Sequence, residues 1–249
     1  MFRACPLEWA RRLGLPNDGR RSNRLLNALP REDYKRLDGH LRPRDVQQKQ
    51  DLGPSGERIS EVHFPVDAVV SILTRMDEGP SVEIATIGNE GVVGLTVAWG
   101  SDAMNPREVA TVQAPGAVVS MDPATFRDEL HRQGALASLI ERYTLAFFSQ
   151  VSQQVACNGL HSVEQRCARW LLLTHDRVGT DEFPMTHEFL SQMLGVRRAS
   201  VTVTAGSLQR AGFVEFSRGR VAIVDRPGLE SAACECYGVT REVYDRLLP

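Results

Sequence analysis

The 249-residue chain has no hydrophobic run approaching the ~20 residues that cross a bilayer, so no membrane span is expected. Residues 1–20 scatter Arg3, Arg11, Arg12 and Arg20 among broken apolar pieces, without the continuous apolar core of a signal peptide. They read as a loose tail or a short docking helix. Charge of one sign is also lacking. A net charge of −2 excludes a generic polyanion binder, so any nucleic-acid binding must come from a local patch. The five cysteines (5, 157, 167, 234 and 236) are odd in number and scattered, which excludes a disulfide framework and fits a reducing cytoplasm. Cys234-x-Cys236 is too short and isolated to read as a zinc site, so all five are taken as structural and no metal is expected. There is no Gly-rich phosphate loop, no metal-spaced cluster and no nucleophile elbow. Ser60-Glu61…His63 has the residue types of a triad, but neighbours in a β-run point to opposite faces. The chain is not read as an enzyme.

What is present is concentrated between Thr186 and Val224. Phe189, Leu190, Met193 and Leu194 recur at helical spacing, and Gly195 can take the positive φ that ends a helix. A second helical pattern turns Val201, Ala205 and Leu208 inward. Its outward face then holds Ala199, Thr202, Val203, Gly206 and Arg210, with Arg198 at the N-terminal edge. Small side chains ended by arginines suit close entry into a DNA major groove better than contact with solvent. Phe213 to Val224 adds two β-rich runs around Ser-Arg-Gly-Arg, a hairpin with Arg218 and Arg220 at its tip. From Arg197 to Arg220 there are five arginines and one acid, Glu215. The pattern is a winged helix-turn-helix. The candidate DNA contacts are Thr186, Arg197, Arg198, Ala199, Ser200, Thr202, Val203, Arg210, Arg218 and Arg220.

Upstream, residues 22–43 give a short helical opening, Asn23 to Leu29 and then Glu32 to Leu37. Short β-rich runs follow at Ile59–Phe64, Ala68–Met76, Ser81–Ile87 and Glu108–Met121, separated by Gly-rich corners. Strands so spaced predict an antiparallel barrel or jelly roll. Pro123 reopens helical texture, and Ala135 to about Asn158 reads as one long helix. Leu136, Ile140, Tyr143, Phe147, Val151 and Val155 form a seam along it, available to the chain's own barrel or to a second copy. A break is expected at Gly159-Leu160, then a helix from His161 to Arg177, and a last short helix after Arg226. The expected fold is α+β. It comprises a sensor-like β-barrel unit over 22–134, a dimerisation helix over 135–160 and a DNA-binding unit over 161–235.

This order resembles the Crp/Fnr family of bacterial transcription regulators over roughly residues 22–235. The resemblance is strongest at Thr186, Leu190, Gly195, Arg198, Val201 and Leu208, and Gly91-Val-Val-Gly94 resembles the start of that family's phosphate-binding cassette. It implies a homodimer, formed through residues 135–158, that binds double-stranded promoter DNA in the cytoplasm, and it admits RNA polymerase as a further partner. It also implies a small-molecule site around Gly88, Glu90, Gly91, Gly94 and Arg107. Here, however, Leu95 follows Gly94, and Glu108 and Val109 stand where cyclic-AMP-binding members place an Arg-Ser pair. Cyclic AMP is therefore not expected. Nor is an iron–sulfur cluster, since Cys5 alone lies near the N-terminus. A haem ligand among the six histidines stays open, and the effector is unknown. On the recognition helix, Arg198, Ala199 and Val203 stand where well-known members carry Arg, Glu and Arg, which implies a different target site. The competing reading is a small-molecule sensor that signals through protein contacts without binding DNA.

Overall fold

The computed structural model describes residues 23–53, 56–77, 81–103 and 105–249. The arginine-rich start of the chain, with Cys5, lies outside them. Two short helices open the fold, α1 (Arg24–Asn27) and α2 (Arg31–Asp38). Asn23 caps α1 by accepting from Leu25 N and Leu26 N, and it ties the helix down by donating to Pro65 O and Gly91 O.

The strands that follow are β1 (Arg42–Val46), β2 (Asp51–Gly53), β3 (Val62–Pro65), β4 (Val69–Thr74), β5 (Val82–Ile87), β6 (Glu108–Ala114) and β7 (Gly116–Met121). They form two antiparallel sheets, ordered β1-β7-β3 and β2-β6-β4-β5. Among the described residues no strand pairs across the two, so the expected barrel is an open two-sheet arrangement. The expected single run Glu108–Met121 is two strands on different sheets, parted at Pro115, which has no N–H to continue a ladder. Alternate side chains fill one core shared with the helices, including Phe64, Val70, Ile72, Ala85, Ile87, Ala110 and Val119. β4 is buried on both faces: Val70 and Ile72 point into that core, while Leu73 joins the core of the C-terminal unit. A strand covered on both sides reads as a continuous apolar run.

Helix α3 (Pro123–His131), capped by Asp122, leads to the long helix α4 (Ala135–Leu160). Leu136, Ile140 and Tyr143 are buried in the chain's own core, and Phe147 and Val151 pack partly against it. The expected seam is thus largely consumed within one chain. Besides Leu160 at its end, the exposed large apolar residues of α4 are Leu145, Phe148 and Val155, at 59%, 69% and 69% exposure, on a rotated face. The break comes two residues later than expected: α4 runs through Gly159 and Leu160, and Ser162 opens α5 (Val163–Val178) with a reciprocal cap to Gln165.

The C-terminal unit continues through β8 (Glu182–Pro184), α6 (His187–Leu194), α7 (Arg198–Arg210), β9 (Val214–Ser217), β10 (Arg220–Ile223) and α8 (Arg226–Ala232). Its core gathers Trp170, Leu171, Leu190, Leu194, Val201, Leu208 and Val221. A final helix, α9 (Cys236–Leu247), was not expected from the sequence. It turns back to α4, where Tyr244 donates to Gln150 Oε1 at 2.8 Å. That return also overturns the reading of scattered cysteines. Cys234 and Cys236 are not isolated: the end of α4 brings Cys157 and His161 against them.

Candidate nucleic-acid interface

α6 and α7 owe their geometry to three local choices. The Thr186 hydroxyl accepts from Phe189 N at 3.1 Å and starts α6, and Gly195, at φ +62°, ends it. Arg197 then opens α7 with extended backbone and no side-chain cap, so the N–H groups of Arg198 and Ala199 keep no partner among the described residues, while Ser200 N donates to Arg197 O at 2.9 Å. Such a helix start is suited to a phosphate oxygen. Val201, Ala205 and Leu208 are buried as expected, and Ala199, Thr202, Val203 and Arg210 are exposed, Val203 to 71%. Gly206 leaves room for the Arg210 guanidinium to lie back over the helix, 3.3 Å from where a Cβ would sit.

The hairpin β9–β10 turns at Arg218 and Gly219, both at positive φ (+48° and +77°). Two such residues match the right-handed twist of the strands. The tip is anchored from two sides: Met185 N donates to Gly219 O at 2.8 Å, and Phe216 N donates to Gln209 Oε1 at 2.9 Å. β8 adds a third strand on the other edge of β10. It carries Glu182, which pairs with Arg220. Arg220, counted in sequence as a free phosphate contact, is therefore held within the sheet. Likewise Arg198 Nε lies 3.9 Å from Glu188, with both side chains well exposed. The excess of positive charge between Arg197 and Arg220 is smaller in space than along the chain. Arg218, at the tip, has no ion-pair partner among the described residues.

One residue on this face escaped the sequence reading. Thr202 donates its single hydroxyl proton to Arg198 O at 3.1 Å. His187 Nδ1, 3.2 Å from the Thr202 hydroxyl oxygen, must then be the donor to it. Burial first, and the charge of Arg198 second, lower the His187 pKa below its ordinary value. His187 is therefore a neutral donor that fixes Thr202 on the outward face, its ring against Phe216 at 5.1 Å.

Of the residues expected around a small molecule, Gly88, Glu90 and Gly91 lie together, but they do not line one cavity with Gly94 and Arg107. Glu90 is buried and receives Arg177 Nε at 3.0 Å and Nη2 at 2.8 Å from α5. Burial pushes its carboxyl up, but the guanidinium outweighs this and holds it below the usual value. Gly88 and Gly91 allow close approach: a Cβ would fall 2.5 Å from Arg177 Cδ and 2.4 Å from the Tyr143 hydroxyl. Arg107 pairs with Asp77 at 2.8 Å on the surface. Of the five, Gly94 alone borders the cavity of about 330 Å³ between the β2-β6-β4-β5 sheet and α4. That cavity is lined by apolar side chains such as Ile72, Ile84, Leu95 and Phe147, and Glu108 is its one charged residue. Burial raises the Glu108 carboxyl above its ordinary value. A lining of this kind offers no cationic cradle to a phosphate.

The two-sheet unit therefore sits against a three-stranded winged helix-turn-helix through α5, and the long helix α4 joins them. Residues 165–232 match the family model of the Crp-like helix-turn-helix domain. The transcriptional regulator SdrP of Thermus thermophilus is 24% identical over 159 residues, 63% of this chain and 76% of that protein. A crystal structure described as a putative Crp/Fnr transcriptional regulator from Eubacterium rectale superposes with a TM-score of 0.65 at 19% identity, covering 84% of this chain and 96% of that one. FixK2 of Bradyrhizobium japonicum gives 0.65 at 15% identity, over 78% and 98%. These likenesses show a shared fold, and the domain match adds the helix-turn-helix. Residues 165–232 thus carry a Crp-like helix-turn-helix domain, within a fold shared with the solved structures named above.

Proposed function

We infer that the chain binds duplex DNA sequence-specifically as a homodimer, with α7 in the major groove and the wing on the backbone. The observation that carries this reading is the outward face of α7. Ala199, Thr202 and Val203 stand exposed there without an acid among them, between Arg198 and Arg210. An exposed Val203 on a solvated helix is otherwise a cost, whereas a thymine methyl would cover it. Arg198 reads a guanine edge, Arg197 and the free N–H groups of the first turn meet phosphate, and Arg218 holds the backbone from the wing. Arg220, engaged by Glu182, is assigned to the wing's structure before any phosphate contact.

The second copy is seated on Leu145, Phe148 and Val155, whose three- and seven-residue spacings make a coiled-coil stripe along α4. Phe148 also borders the 330 Å³ cavity. It gives an occupant of the two-sheet unit a direct route to the dimer contact. The apolar lining favours an uncharged, apolar effector over a cyclic nucleotide.

Arg198→Ala tests the base-reading role. Binding to the preferred duplex should weaken by on the order of 1–3 kcal/mol, with the preference relaxed at one base position. The check is a comparison of affinities across a panel of single-base variants of that duplex. An equal loss on every sequence would mean that Arg198 touches phosphate only.

A further inference from the structure

The cysteines of the C-terminal half converge on one point. Cys157 in the last turns of α4, His161 at its end, and Cys234 and Cys236 at the entry to α9 place one ligand atom each within 4.8 Å of all the others. Cys157 Sγ and Cys234 Sγ are 3.5 Å apart, and Cys236 Sγ is 3.5 Å from His161 Nδ1. A tetrahedral zinc ion with bonds of about 2.3 Å to sulfur and 2.0 Å to nitrogen sets its ligands about 3.5–3.8 Å apart. The spacings have an evident local origin. Cys157 and His161 are four residues apart at the end of a helix, on one face. Cys234 and Cys236 flank Glu235 where the chain bends into α9.

Two further observations point to an ion here. His161 Nε2, the nitrogen turned away from the sulfurs, lies 3.2 Å from Glu235 Oε1. A carboxylate on the far nitrogen of a ligating histidine fixes the tautomer that leaves Nδ1 free to bind metal. Secondly, Arg166 and Arg169 on α5 are buried within electrostatic range of Cys157, and no carboxylate of the described residues lies within 4 Å of either. The Nε of each is without a hydrogen-bond partner. Three neutral thiols would do nothing for two such cations. A divalent ion held by three thiolates and one imidazole carries a net charge of −1 and would offset them.

We propose that Cys157, His161, Cys234 and Cys236 form a structural Cys₃His site for a zinc-class divalent ion. The ion displaces the three thiol protons to solvent and closes its coordination with four protein ligands, leaving no open position. Its place in the fold gives it a purpose. Cys157 precedes the DNA-reading unit and Cys234 follows it, so the ion clasps the chain across the base of α5–α8. The same ion fixes α9 against the end of α4 and sets the pose of the DNA-reading unit on the dimer helix.

The test uses the full chain, purified under reducing conditions without chelator. Elemental analysis should find about one zinc per chain, retained through gel filtration. Cobalt(II) added to the stripped protein should give the intense visible bands of a tetrahedral site and a thiolate charge-transfer band, and zinc should displace both. Cys234→Ser and Cys236→Ser should each lose the charge-transfer intensity of one thiolate and lower the thermal midpoint, while Cys167→Ser, outside the cluster, should keep one metal per chain. Because the cobalt spectrum is read on the unaltered chain, a variant that fails to fold does not blunt the experiment. A weak octahedral cobalt spectrum, or no uptake beyond that of Cys157→Ser, overturns the proposal. Iron with acid-labile sulfide on the same cysteines, or a Cys157–Cys234 disulfide as the resting state, overturns it equally.

Discussion

Arg177→Met should destabilise the chain by about 3–5 kcal/mol, because it strands the buried Glu90 carboxylate on the far side of the contact between the two units. Both side chains are 7% exposed, so solvent cannot replace the lost guanidinium. Arg177 gives Glu90 two donors and folds its stem over Gly88, while a third donor reaches Leu173 O at 3.0 Å. Lysine has one ammonium and cannot reproduce that fork, so Arg177→Lys should recover only part of the loss. Adding Glu90→Gln to Arg177→Met should cost far less than the two single losses summed, since the stranded charge is gone. Urea unfolding of the four proteins measures the cycle. A loss below about 1 kcal/mol for Arg177→Met would sink the claim that this pair holds the units together.

The second large effect is a pH dependence set by Glu83, near the start of β5. Its carboxyl is buried and accepts from Trp170 Nε1 at 2.9 Å, and its other oxygen is 2.6 Å from Ser71 Oγ. Ser71 has one proton but two acceptor neighbours, for Gln113 Oε1 is 3.0 Å away. A proton on Glu83 completes the chain. Glu83 donates to Ser71, Ser71 to Gln113, Gln113 to Thr174 at 2.7 Å, and Thr174 to Trp170 O at 2.9 Å. Burial, the largest cause, raises the Glu83 pKa to about 7, against the lowering pull of the hydrogen bonds that Ser71 and Trp170 can donate to the ionised carboxylate and of Arg169 and Arg177.

The folded state thus holds a proton that the unfolded chain releases near its ordinary 4.5. The stabilisation is fully present below that value, declines as pH rises towards about 7, and is gone above it. The fall across this window should be on the order of 3 kcal/mol. Glu83→Gln keeps an acceptor for Trp170 and a donor for Ser71, so it should flatten the fall and stabilise the chain at pH 8. Unfolding measured at half-unit steps from pH 5 to 8 decides this. An unchanged slope in Glu83→Gln would show that Glu83 is ionised throughout.

The sequence makes the α6–α7 pair legible because every signal for it is local: a threonine cap, a glycine stop and an apolar stripe within 27 residues. The hairpin turn at Arg218-Gly219 is legible for the same reason. What stays hidden depends on partners far along the chain. Cys157 and Cys234 are 77 residues apart, and Glu90 and Arg177 are 87 apart. No spacing rule links such positions, so a metal-ligand set reads as scattered thiols and half of an ion pair reads as a ligand-site acid. Glu182 is hidden in another way: it lies fifteen residues before the basic window that it partly neutralises. β1 and β2 are short and polar, and β1 pairs along one side only, with β7, so their sequences carry little apolar alternation. The α4 seam misleads because one apolar helix face serves the chain's own core, and the face left free begins two residues further round.

The proposed function requires the winged unit to read duplex DNA as a dimer. Selection from random duplexes with the unaltered chain, followed by a salt titration on the enriched sequence, tests it most directly. The account predicts two related half-sites centred about one helical turn apart. It also predicts an affinity that falls steeply with salt as arginine–phosphate contacts release counterions. An unenriched pool, with residual binding flat in salt both with and without small apolar ligands, would contradict it and leave the winged unit to serve protein contacts.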